Sequence, residues 1–205
     1  METQILATLN LTPQILDASL RKAQPNLNSI LSRFIPPPLC FMKLNFDGAS
    51  KGNPGQAGIG GIFRDSFSKF CHLSSYPMGY VTNNEAELMA LKQGLIIAIR
   101  EGYQRLVVEE DSAMAVGILK KLQQGNPWQK ISKSWRIAKL VEDIGNLLRQ
   151  VGLVICTHVR WEGNEAADYL ANWACQNLTR NLDIDDSHKA WVVELYPLQC
   201  ILDID

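Results

Sequence analysis

No charge of one sign dominates this 205-residue chain: 20 Lys and Arg stand against 21 Asp and Glu, a formal net charge of −1. That balance excludes a protein that holds nucleic acid mainly by overall basicity, so any phosphate-binding role must rest on a local patch or on bound cations. The five cysteines, Cys40, Cys71, Cys156, Cys175 and Cys200, are odd in number and form no C-x-x-C pair. Neither a disulfide framework nor a zinc site is indicated. Reduced thiols point to an intracellular protein, with nucleus and cytoplasm both open. No apolar run is long enough to span a bilayer, so no membrane partner is expected. Met1-Glu2-Thr3-Gln4 lacks a charged segment followed by an apolar block, which predicts no secretory signal. What is present, 46% apolar and 20% charged residues, suits one well-buried globular domain with extensions.

Residues 1–40 are weakly patterned and end in the stiff spacer Pro36-Pro37-Pro38, so they read as an extension or linker. From Phe41 to Asp47 apolar and polar residues alternate as in a strand, with Leu44 and Phe46 on one face and Lys43, Asn45 and Asp47 on the other. Gly52-Asn53-Pro54-Gly55 forces a turn. A Gly-rich strand over about 57–64 follows, its glycines marking a close backbone approach or a bend, and then a third strand over about 69–79. Thr82-Asn83-Asn84 starts a helix, with the Asn residues suited to the N-cap and Leu88, Leu91 and Leu95 at helical spacing. A fourth strand closes on Asp111. Helices follow over 112–124 and 128–150, the latter as one or two, then a strand over 153–159 and a last helix over 165–177. Strands that alternate with helices imply parallel crossovers after an antiparallel start. The expected fold is α/β: a mixed five-stranded sheet flanked by helices over 41–178, followed by an acidic tail, 179–205. Trp191 to Leu195 could add a strand of unassigned position.

Four acids fall at element boundaries: Asp47, Glu87, Asp111 and Asp168. Each alone has an ordinary explanation. Asp47 could be a solvated turn residue, Glu87 could complement a helix dipole, Asp111 could cap the next helix, and Asp168 could be a solvated helix position. If the first and fourth strands are neighbours, however, Asp47 and Asp111 come side by side beyond the strand ends, where ligands sit in α/β sheets. Clustered carboxylates repel unless cations separate them, and their hard oxygens suit Mg²⁺ or Mn²⁺. Two such ions, roughly 3.5–4 Å apart, can clamp a phosphodiester.

The four blocks that hold these acids resemble the type 1 ribonuclease H domain, especially plant ribonuclease H-like proteins related to the C-terminal part of non-LTR retrotransposon polyproteins. They are Asn45 to Gly55, Thr82 to Ala90, Glu110-Asp111-Ser112, and His158-Val159-Arg160 with Gly163 to Ala171, in family order. The resemblance implies a ribonuclease H-like fold and an endoribonuclease that cuts the RNA strand of RNA–DNA hybrids with two Mg²⁺ ions, leaving 3′-hydroxyl and 5′-phosphate ends. It implies Asp47, Glu87, Asp111 and Asp168 as metal ligands and His158 as the mobile histidine that assists water activation or product release. It also implies Gly48, Asn53, Thr82, Asn84 and Asn164 as substrate-side residues, with Thr82 on a DNA phosphate. An Asn amide suits a ribose 2′-OH because it both donates and accepts. A monomer that is part of a longer retroelement polyprotein fits the same resemblance.

Departures from the family pattern are local. The family's basic, Trp-containing substrate handle corresponds here to Trp128–Gln150, where Lys130, Lys133, Trp135, Arg136 and Lys139 are diluted by Glu142 and Asp143. Trp161 follows the His158 block in place of a smaller residue, and Glu109 and Glu110 add negative charge beside Asp111 that would weaken phosphate approach if they face the groove. A retroelement-derived binding module without turnover is the alternative function.

Overall fold

The computed structural model describes residues 35–127, 129, 131 and 134–185. Among these residues six strands form one sheet: β1 (Met42–Gly52), β2 (Gly55–Arg64), β3 (Phe70–Val81), β4 (Arg105–Glu110), β5 (Leu153–His158) and β6 (Leu182–Asp185), in the order β5-β4-β1-β2-β3-β6. The pairs β1–β2, β2–β3 and β3–β6 are antiparallel, and β1–β4 and β4–β5 are parallel. Among the described residues four α-helices flank the sheet: α1 (Asn83–Arg100), α2 (Ala113–Gln123), α3 (Trp135–Val151) and α4 (Glu165–Gln176).

The strand pattern around Leu44 has a direct packing cause. Leu44, Phe46, Ile59 and Phe63 project into the main core with Leu88, Leu91 and Leu95 of α1 and Val141 and Ile144 of α3. The opposite face of the sheet packs Ile62, Phe70 and Leu73 against Leu170 of α4 and Leu182. Because β1 is central, its polar face is covered too. Lys43 and Asn45 are buried, Lys43 Nζ meets Glu109 Oε1 at 2.5 Å, and Asn45 Nδ2 donates to Glu109 Oε2 at 3.3 Å.

Several sequence expectations need correction. The sheet has six strands, not five. Leu182-Asp183-Ile184-Asp185 reads as acidic tail, but Leu182 enters the second core and pairs with Ser75, so the sheet continues past 178. Strand β1 runs on to Gly52, so Asp47 lies within it, opposite Gly60, rather than at its end. Thr82, not an Asn, caps α1: its Oγ1 accepts from Glu85 N while Glu85 Oε2 accepts from Thr82 N, which satisfies two donors reciprocally. Within 134–151 there is one helix, α3. The strand considered at Trp191–Leu195 lies outside the described residues.

Candidate active site

The candidate site opens where β1 and β4 part. Their parallel pairing stops at Asn45 and Glu109, because β4 gives way to α2 while β1 continues beside β2. Asp47, only 7% exposed, lies just past that point. Asp111 follows β4 directly and is not the helix cap, since Ser112 Oγ accepts from Ala115 N at 3.4 Å and does that work. Its carboxylate therefore has no capping task.

Glycines let the other two acids approach. A Cβ on Gly48 would lie 2.2 Å from the backbone of Ala86 and Glu87, so only Gly allows β1 to touch the start of α1 here. The Gly48 amide donates to Glu87 Oε2 at 3.3 Å, and Asn83 Nδ2 donates to Oε1 at 3.4 Å. Glu85 completes the helix cap, so Glu87 is not spent on the helix end; it is buried and turned inward. Across the sheet, a Cβ on Gly60 would lie 2.4 Å from Ala167 O and one on Gly58 2.5 Å from Ala171 O. The close approach inferred for the Gly-rich strand is thus made by α4, which carries Asp168 toward Asp47, the partner of Gly60. Asp168 stands at the exposed rim, where its Oδ1 accepts from Asn172 Nδ2 at 2.8 Å and Lys51 Nζ in turn holds Asn172 Oδ1.

Electrostatics ties the four acids together. Burial, then the charges of Asp168 and Asp111, push the Asp47 carboxyl up from 3.8 to about 7, against a smaller downward pull from the Gly48 amide. Glu87 is raised by burial and then by Asp47 and Asp111. Asp168 is raised by burial and Asp111, with Lys51 and Asn172 opposing. The charges that act most strongly on Asp47 and Glu87 are other carboxylates. Oxygens of Asp47, Glu110 and Asp111 lie within 4.8 Å of one another. Hard oxygen donors at that spacing, short of positive partners, fit a divalent cation of the Mg²⁺ type.

The remaining predicted residues sit around this cluster. His158 is exposed, and its Nε2 lies 3.0 Å from the Asp111 carbonyl. Asn53 and Asn84 are exposed on the same edge, and Asn53 Oδ1 accepts from Asn83 N at 3.1 Å, which docks the turn onto the first residue of α1. The Thr82 hydroxyl donates to Glu85 Oε2 at 2.7 Å as well as capping the helix. Gly48 and Asn164 are buried inside the fold. Asn164 Nδ2 donates to Phe46 O at 2.8 Å, so it braces α4 against the residue before Asp47. In the substrate-handle region, Trp135 is exposed with the Arg136 guanidinium 5.4 Å from its ring centre. Lys139 is committed to Glu142 and Asp143, while Lys130 and Lys133 lie outside the described residues.

The two extra acids beside Asp111 separate. Glu109 turns to Lys43 and Asn45. Glu110 turns inward and joins the cluster, a placement that sequence reasoning missed. Strand parity was the available signal, since Glu110 shares its face with Leu106 and Val108, both fully buried.

This strand order, with helices on both faces and an oxygen-rich cleft where the central strands part, is the ribonuclease H-like fold. The reverse transcriptase-like family matches residues 45–174. The chain is 35% identical over 151 residues to an Arabidopsis thaliana protein named for ribonuclease H, covering 74% of this chain but spanning only 23% of that protein. It is 30% identical over 158 residues to the ribonuclease H of Bordetella avium, covering 71% of this chain and 97% of that enzyme. Among solved structures, RNase H1 of the halophilic archaeon Halobacterium salinarum superposes with a TM-score of 0.59 at 28% identity, covering 67% of this chain and 98% of that one. LC11-RNase H1 in complex with an RNA/DNA hybrid gives a TM-score of 0.58 at 28% identity, covering 68% and 99%. The chain belongs to the reverse transcriptase-like family and to the ribonuclease H family.

Proposed function

We propose that this protein is an endoribonuclease that hydrolyses the RNA strand of RNA–DNA hybrids, using two divalent cations. The observation that carries this reading is the convergence of Asp47, Glu87 and Asp111 on one buried cleft, with Asp168 at its rim, in a chain of this family. These four residues would hold Mg²⁺, or Mn²⁺ in its place. Bound there, the cations would supply Lewis acidity, lowering the pKa of water and offsetting charge on the scissile phosphate.

The chain's own groups supply positioning and proton handling. A carbonyl only accepts, so the contact with Asp111 O fixes the proton of neutral His158 on Nε2 and leaves Nδ1 as the ring atom that can take one up. Its place at the exposed rim suits proton exchange or escort of product. Asn53 and Asn84 present amides at the open edge beside the cleft, where a ribose 2′-OH can be recognised. Thr82 flanks them at the N-terminus of α1, where the helix dipole favours a phosphate. We read the unit as a monomer that works in the nucleus or cytoplasm and can form part of a longer retroelement polyprotein.

The test is cleavage of a labelled RNA–DNA hybrid against double-stranded RNA, with Mg²⁺ and with chelator. Cleavage of the hybrid's RNA strand only, and only with Mg²⁺, is expected. Hybrid binding without turnover would overturn the enzymatic reading and leave a binding module.

A further inference from the structure

The family's carboxylates do not account for Glu110. It is the last residue of β4, registered with His158 of β5, and its backbone carbonyl accepts from Val159 N at 3.0 Å. Its side chain is 0% exposed. Oε1 accepts from the amides of Asp111 and Ser112, both at 3.1 Å, which fixes the carboxyl under the turn that carries Asp111. Oε2 is buried and has no hydrogen-bond partner. A buried carboxylate costs several kcal/mol unless its oxygens are satisfied, so an orphaned oxygen there requires a cause. The charges that bear on it most are Glu87, Asp47 and Asp111, all negative.

A cation meets this requirement. An octahedral Mg²⁺ with oxygens at about 2.0–2.1 Å sets neighbouring ligands about 3 Å apart and opposite ones about 4.2 Å apart. Oxygens of Asp47, Glu110 and Asp111 all fall within 4.8 Å of one another, close to that envelope. We propose that Glu110 is a fifth carboxylate of the cation centre, sharing one divalent ion with Asp47 and Asp111. The inference rests on the catalytic-centre reading above and adds a ligand to it. A fifth negative charge holds the cation more tightly, and it leaves less positive charge to act on a phosphate. This chain is therefore a tighter cation binder than a centre built from the other four acids alone.

Calorimetric titration of substrate-free protein with Mn²⁺ tests this, comparing wild type with Glu110→Gln. The amide keeps the shape and an acceptor for the two backbone N–H groups but removes the charge. Wild type is expected to bind, and Glu110→Gln to bind about tenfold or more weakly. Equal affinity in the two proteins would overturn the inference and leave the catalytic-centre reading intact. No Mn²⁺ binding by wild type would overturn both. Wild-type protein labelled with ¹³C at its glutamate carboxyls gives a check that needs no variant to fold: Mg²⁺ should shift two buried carboxyl resonances, those of Glu87 and Glu110. A shift of one alone would contradict the fifth ligand.

Discussion

At the β3–β6 edge a single acid, Asp183, is surrounded by partners; in the β1–β4 cleft several acids are surrounded by one another. Arg100 donates to both oxygens of Asp183 at 2.9 Å, the Tyr76 hydroxyl donates at 2.6 Å, and His72 Nε2 lies 2.7 Å away. Burial acts to raise the Asp183 carboxyl, yet these contacts win and hold it down at about 2. In the cleft burial acts in the same direction and nothing comparable opposes it, so Asp47 rises to about 7. The same chemical group thus stabilises the fold at one edge and costs stability at the other. Residues that cost the fold energy at a cleft mark a place shaped for a ligand that the fold alone does not satisfy.

The comparison can be broken by moving the geometry or by removing the pairing. The largest effect is expected from Gly60→Ala. Its new Cβ meets helix backbone at 2.4 Å, so α4 must shift and Asp168 must shift with it. Hybrid cleavage should fall sharply, and chemical denaturation should report a loss of about 1–3 kcal/mol. Unchanged cleavage would mean that the seat of α4 does not set the site. Asp183→Asn should act oppositely, costing about 1–2 kcal/mol after allowance for solvent screening while leaving cleavage by the folded protein as it was. Equal losses of activity and stability would erase the distinction between the two ends.

The smallest effect is one of pH. Asp183 is depressed in the folded protein, so its stabilisation is fully present above the ordinary carboxyl value of 3.8 and is lost as pH falls toward about 2. The stability difference between wild type and Asp183→Asn should therefore shrink across that window, as thermal melts at each pH can show.

Much of this was legible in the residues and some was not. The alternation around Leu44 and Phe46 and the helical spacing of Leu88, Leu91 and Leu95 report burial on one face, and the structure follows them. The acids at Asp47, Glu87, Asp111 and Asp168 could be proposed because they stand in the four blocks that carry the family resemblance, although Asp47 lies inside β1 rather than at its end. The sixth strand escaped because its apolar–acidic alternation, Leu182-Asp183-Ile184-Asp185, covers only four residues and reads equally well as an acidic tail. It forms through long-range partners, Leu182 in a remote core and Asp183 on Arg100 and Tyr76. In the sequence Glu109 and Glu110 read alike, as negative charge beside Asp111 that would weaken phosphate approach if it faced the groove. The inward turn of Glu110 follows from strand parity, and that becomes informative only once the buried face of β4 is known.

The most direct measurement of the central claim, that the carboxylate cleft is a cation-dependent ribonuclease centre, is hybrid cleavage in Mg²⁺ by wild type and Asp111→Asn, each checked for folding by circular dichroism. Loss of cleavage in a folded Asp111→Asn protein is the predicted result; full cleavage by that folded variant would contradict it.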